Sequence, residues 1–188
     1  MNAFSDGHSE APGRGGTRLN VEIKARCAQP DAIRLKLRDL GAVYEGTDRQ
    51  VDTYFNVTSG RLKLRQGHLE TGLIHYARGD DARPRQADVT LYDPDDVPGL
   101  KQILRKALGL RVVVAKSRDI FWLGNVKFHV DEVAGLGTFV EIEAIDRDGT
   151  IGPEHLARQC QQFMDALGIA AADLEGRSYS DLVASEQG

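Results

Sequence analysis

The sequence predicts an α+β fold, a largely antiparallel sheet with helices packed against it. Eight segments carry the two-residue alternation of strands, and most are joined by short turns marked by glycine. Three longer segments carry helical spacing. A chain of 188 residues suits one domain.

Residues 1–18 are rich in Gly, Ser and Pro without apolar periodicity, and read as a disordered leader outside the fold. The domain is expected over 19–183, with a short tail over 184–188. Leu19–Cys27 alternates, with Val21, Ile23 and Ala25 on one face and Asn20, Glu22 and Lys24 on the other. Pro30 opens a helix to about Leu40 that Gly41 closes, its stripe formed by Ile33, Leu37 and Leu40. Short strands follow at Gln50–Val57, Arg61–Gln66, Leu73–Arg78 and Gln86–Tyr92, with a loop over 79–85. Asp95–Gly109 reads as the second helix. Val112–Leu123 and Asn125–Val133 form a hairpin about Gly124, and Thr138–Asp146 is the last strand. Pro153–Leu167 is the third helix with Gly168 as its C-terminal cap, and Asp173–Val183 has room for a final short helix.

Charge placement on these strands is the informative feature. Arg61, Lys63 and Arg65 share one face against Leu62 and Leu64, and Lys116 and Arg118 repeat the pattern. Glu141 and Glu143 share a face about 7 Å apart along their strand. Lys127, His129 and Asp131 oppose Val126, Phe128 and Val130. On a single strand, such alternation ordinarily means one solvated face. Here it recurs on at least five strands, while the helical stripes need an apolar sheet face to cover. If the apolar strand faces point outward beneath helices, the charged faces enclose a polar lumen, and closing the sheet on itself removes its edges. A lumen of Arg and Lys then needs counter-charge, which a polyanion and metal-bound carboxylates would supply.

Composition excludes several classes. The chain is 41% hydrophobic and 28% charged with a formal net charge of −4, so bulk charge does not favour nucleic acid. No apolar run reaches the ~18 residues of a membrane span, and the N-terminus lacks a hydrophobic signal core. Cys27 and Cys160 are too few for a disulfide framework or zinc cluster, which makes a reducing cytoplasm the expected location. There is no GxxxxGK[ST] loop, no HExxH and no CxxC, and Gly135-Leu-Gly137 lacks the third glycine of a dinucleotide fingerprint.

The run Asn20-Val-Glu22-Ile-Lys24-Ala-Arg26 resembles the ExExK signature of the CYTH superfamily, the triphosphate tunnel metalloenzymes. The resemblance continues in order through Asp52-Thr-Tyr54-Phe55, Gly60-Arg-Leu-Lys-Leu-Arg65, His75-Tyr-Ala-Arg78, Lys116-Ser-Arg118, the Asp131 strand and Glu141-Ile-Glu143. Its combination with Asp131-Glu-Val-Ala-Gly-Leu-Gly137 is most similar to the class IV adenylyl cyclase branch. It departs at Asn20, where the first Glu of the signature stands in the family; a neutral amide oxygen holds a divalent cation less strongly than a carboxylate.

The resemblance implies a closed eight-stranded antiparallel barrel around a triphosphate tunnel, with Mg²⁺ or Mn²⁺ as cofactor. It implies that Glu22, Glu141 and Glu143 hold the metal, with Asp131 as a further ligand or as the partner of a neighbouring cation. Lys24, Arg61, Lys63, Arg65, Arg78, Lys116 and Arg118 would line the tunnel and neutralise the triphosphate, Arg being suited by its two-pronged donor geometry. Glu22, Lys24, Glu141 and Glu143 form the catalytic set, and His129 faces inward as a phosphate donor, a proton carrier or a packed residue. Tyr76 and Tyr179 read as packing residues. The leading expectation is a cyclase converting ATP to cyclic AMP and pyrophosphate. The alternatives are a triphosphatase releasing orthophosphate from inorganic or thiamine triphosphate, and a non-catalytic sensor of polyphosphate or nucleotide. The expected partner is a triphosphate-bearing small molecule, with no nucleic acid and no membrane, the protein being a monomer or a homodimer.

Overall fold

The computed structural model describes residues 16–77 and 84–186. Eight strands run as β1 (Gly16–Arg26), β2 (Val43–Phe55), β3 (Arg61–Gln66), β4 (Gly72–Ala77), β5 (Arg85–Tyr92), β6 (Leu110–Leu123), β7 (Val126–Val133) and β8 (Gly137–Asp146). They close into a barrel in the order β1-β5-β4-β3-β2-β6-β7-β8, with antiparallel neighbours throughout. Four helices decorate it: α1 (Pro30–Asp39), α2 (Val97–Leu108), α3 (Pro153–Leu167) and α4 (Tyr179–Glu186). Closure leaves no free sheet edge, and the strand alternation then divides every strand between a lumen face and an outer face.

The outer face carries the main core, as a polar lumen requires. Val21, Ile23, Phe128 and Ile142 pack beneath Leu156, Cys160, Met164 and Leu167 of α3 and Ile33 and Leu37 of α1. A second cluster lies on the inner faces at one end of the barrel, where Tyr54, Val112, Val114 and Phe139, which share the parity of Asp52, Lys116 and Glu141, pack against Tyr179 and Leu182 of α4. Pro153 starts α3 at a position whose N–H would be unsatisfied in any case. Gly168 ends it in the left-handed region (φ 73°), and the Ile169 N–H then returns to the Met164 carbonyl at 2.9 Å. Cys27 and Cys160 are buried and free. α2 is the exception among the helices: none of its side chains is buried, and Ile103 stands 64% exposed.

The sequence places every strand, with shifts at some ends. β1 begins at Gly16, where its backbone pairs with Leu91, three residues ahead of the expected start. α4 continues to Glu186. The largest difference is β2, which starts at Val43 rather than Gln50. Residues 43–49 break the alternation with Gly46, where the register shifts, yet they pair with β6 from Trp122 to Ser117. Cross-strand pairing there overrides a weak local pattern. Arg78 and the predicted leader up to residue 15 lie outside the described residues. Among the described residues no helix is long and apolar enough to cross a membrane.

Leu156 is fully buried between α3 and the barrel. Leu156→Ala is expected to cost about 2–5 kcal/mol in urea unfolding. A loss below about 1 kcal/mol would show that α3 is not part of the main core.

Candidate active site

The lumen is a cavity of about 430 Å³. The inward-facing side chains of the strands line it, and two halves of wall result. One half is ionic: Glu22 and Lys24 from β1, Lys63 and Arg65 from β3, Lys116 and Arg118 from β6, Lys127 and His129 from β7, Glu141 and Glu143 from β8. The other half is apolar, built by Ile74 and Tyr76 of β4 and Ala87, Val89 and Leu91 of β5.

Asp52 of β2 organises the first group of cations. Its side chain is 1% exposed, and it accepts from Arg65 Nε and Nη2 at 2.9 and 3.1 Å, Lys116 Nζ at 2.7 Å and Lys63 Nζ at 3.2 Å. Burial alone would raise its pKa; Arg65, Lys116 and Lys63 hold it well below the carboxylate range. Burial acts on Lys116 in the other direction. With the like charges of Arg65, Arg118 and Lys63, and against the pull of Asp52, it brings the Lys116 ammonium down to about 7.

A second network runs along β6, β7 and β8. Arg118 donates to both oxygens of Asp131 at 2.7 and 2.5 Å and to Glu141 at 2.6 Å. The Tyr179 hydroxyl donates to Asp131 at 2.8 Å, so both Asp131 oxygens are engaged. Glu141 also lies 3.1 Å from His129 Nδ1 and 3.5 Å from Lys24 Nζ. Lys24 stands 4.0 Å above the ring of Tyr179. Burial, then Arg118, lowers the His129 pKa, so the ring is neutral at pH 7. Its Nε2 is buried without a hydrogen-bond partner.

The third group is oxygen-rich. Glu22 and Glu143 are direct cross-strand partners, a relation that puts their Cβ atoms about 5 Å apart. Arg18 lies 3.4 Å from Glu143, and the Asn20 amide donates to the same carboxylate while its Oδ1 stays buried and unpartnered. Across the lumen Glu70, on the β3–β4 turn, pairs with Lys127 and with Arg65 at 2.8 Å. Among the described residues no three His, Cys, Asp or Glu side chains form a ready metal cluster.

The CYTH domain family matches residues 18–179, most of the chain. The chain belongs to that family. It is 30% identical over 177 residues to adenylate cyclase CyaB of Aeromonas hydrophila, covering 88% of each chain. Among solved structures it is similar to the PH1012 protein of Pyrococcus horikoshii (TM-score 0.74, 27% identity, 87% of this chain and 98% of that one). In fold it is also similar to a Hippeastrum putative adenylyl cyclase described as having a dominant triphosphatase activity (TM-score 0.56, 15% identity, 90% and 96% covered).

The CYTH lumen gathers Glu22, Lys24, Lys63, Arg65, Lys116, Arg118, His129, Glu141 and Glu143 on one cavity. Arg61 stands outside this group: it donates to Asp181 of α4 at 2.7 Å and, with Arg111, fastens that helix to the barrel. Asp131 stands behind the lining as the partner of Arg118. Tyr76 and Tyr179, expected as packing residues, also line the cavity. Asp52, Glu70 and Lys127 were missed as site residues. The inward parity of Asp52 and Lys127 was a usable signal, whereas Glu70 sits on a turn that carries no parity.

A polyanion bound beside Lys116 favours its ammonium form, so affinity for inorganic triphosphate should weaken as pH rises above 7. Calorimetry in EDTA from pH 6 to 9 should show that decline for the wild type and a flatter profile for Lys116→Gln. Equal slopes would remove Lys116 from the phosphate site.

Proposed function

We propose that this protein is a metal-dependent CYTH enzyme acting on organic triphosphates, with ATP cyclisation to cyclic AMP and pyrophosphate as its reaction. The observation that carries this reading is the division of the lumen. The ionic half suits a triphosphate, and the apolar wall of Ile74, Tyr76, Ala87, Val89 and Leu91 offers an uncharged organic group a surface that an inorganic chain cannot use. The 30% identity with a cyclase relative points the same way.

The donor set fits a hard cation. Mg²⁺ ordinarily takes one or two protein carboxylates and completes its shell with phosphate oxygens and water, so a preformed three-residue cluster is not needed. Glu22 and Glu143 are the residues that would hold Mg²⁺ or Mn²⁺, with the unpartnered Asn20 Oδ1 as a neutral oxygen beside them. Asp131 does not fit, its oxygens being committed to Arg118 and Tyr179, and Glu141 is engaged by Arg118, His129 and Lys24. When bound, the cation supplies charge neutralisation at the phosphates.

The remaining work falls to the chain. Lys63, Arg65, Lys116 and Arg118 bind and orient the phosphates, and their fixed donors stabilise charge that builds on the leaving pyrophosphate. Glu141 holds Arg118, Lys24 and His129 in place. His129, neutral and donating Nδ1–H to Glu141, leaves Nε2 as an unpartnered acceptor positioned to take a hydrogen bond from the ribose hydroxyl. The basic groups that define the site point inward, which suits a small molecule rather than nucleic acid as partner, and two free thiols suit the cytoplasm.

The test is product analysis with Mg²⁺ or Mn²⁺ and, in turn, ATP, thiamine triphosphate and inorganic triphosphate, resolved by chromatography and ³¹P NMR. Cyclic AMP with pyrophosphate from ATP is expected. Glu143→Gln should lower both turnover and Mn²⁺ binding, read by electron paramagnetic resonance, by at least about 10–100-fold. Orthophosphate as the main product would replace cyclisation with hydrolysis. Tight binding without any product would make the protein a sensor.

A further inference from the structure

Glu70 reaches the lumen from the β3–β4 turn. Its Oε1 accepts from Lys127 Nζ, and its Oε2 accepts from Arg65 Nη1 at 2.8 Å and Gln50 Nε2 at 2.9 Å. Lys127 is on β7 and Arg65 on β3, which are separated in the barrel by β2 and β6. The carboxylate therefore bridges across the lumen, one oxygen to an ammonium and the other to a guanidinium. A phosphate group between an ammonium and a guanidinium would divide its oxygens in the same way.

The turn is built to deliver it. Buried Asp48 accepts from the backbone N–H groups of His68, Leu69 and Glu70 at 2.8, 3.2 and 3.0 Å. A Cβ at Gly67 would fall 2.4 Å from Asp48 Oδ2, so the turn closes tightly only on glycine. Burial would raise the Glu70 pKa, but Lys127 and Arg65 hold it ionised. Asp52 and Asp131 also neutralise lumen cations, yet their side chains are 1% and 0% exposed and lie on strands. The Glu70 side chain is 24% exposed and has a way out to solvent.

We infer that Glu70 is an internal anion standing in a phosphate subsite between Lys127 and Arg65, and that a triphosphate binds there by displacing it. This rests on the reading of the lumen as a polyphosphate site. The backbone stays pinned by Asp48, so displacement is a side-chain rotation, and Glu70 sets the affinity threshold of the site. It neutralises Lys127 and Arg65 and is released by a ligand that carries more charge than one carboxylate.

Calorimetry with inorganic triphosphate in EDTA tests this apart from metal and turnover, using the wild type, Glu70→Gln and Glu70→Asp, each checked for fold by circular dichroism. If the displaced state is about one tenth populated in the free protein, Glu70→Gln should bind about tenfold more tightly. Glu70→Asp keeps the charge but is one methylene short of spanning both cations, so it should tighten binding as well. No tightening in Glu70→Gln, with the wild type binding, overturns the inference alone. Tightening in Glu70→Gln with none in Glu70→Asp would also overturn it, leaving net lumen charge as the cause. No binding by any of the three proteins would instead overturn the polyphosphate reading itself.

Discussion

The structure depends on keeping a set of cations inside a closed barrel without ruinous desolvation. A buried ammonium or guanidinium is tolerated only with a hydrogen-bonded counter-charge. Asp52 answers for Arg65, Lys63 and Lys116; Asp131 and Glu141 answer for Arg118; Glu141 answers for Lys24; Glu70 answers for Lys127 and the outer side of Arg65. The sequence alone suggested a polyanion together with metal-bound carboxylates as the counter-charge of the lumen. The chain carries much of that neutralisation itself, which lets the cations be fixed before any ligand arrives. Preorganised donors of this kind are what electrostatic stabilisation of a reacting phosphate needs.

The fold follows from the same constraint. With charge on the lumen side, the opposite strand faces must be apolar, and α1 and α3 cover them, while α4 packs on the inner faces at one end of the barrel. Lys24 shows how local the coupling is. Its neighbours Ile23 and Ala25 belong to the outer core, while its own side chain meets Glu141 and the Tyr179 ring within the lumen. Tyr179 in turn belongs to α4, which Arg61 and Arg111 anchor through Asp181. The packing of α4 at the end of the barrel thus sets the position of an ionic group inside it.

Most of the barrel was legible because period-2 alternation is a local signal: Glu22 and Lys24, Lys63 and Arg65, Lys116 and Arg118, Glu141 and Glu143 were all placed on inward faces by parity. Parity says which face a residue takes, but not how it pairs across the lumen. Arg61 shares parity with Arg65 yet is captured by Asp181, more than a hundred residues away in sequence. Asp131 has the parity of a ligand but lies directly opposite Arg118 in the register, which claims it. Glu70 reaches the site only because Asp48 folds a five-residue turn back on itself, and no periodicity encodes that. The start of β2 was hidden for a related reason, since Gly46 interrupts the pattern at a bulge that pairing with β6 stabilises.

The most direct test of the account is a crystal structure with a non-hydrolysable ATP analogue and Mn²⁺. The account predicts phosphates among Lys63, Arg65, Lys116 and Arg118, the cation against Glu22 and Glu143, the base on the Ile74–Val89 wall, and Glu70 released from Arg65. An analogue held at the barrel exterior, with the Asp52 and Glu70 ion pairs intact, would contradict it.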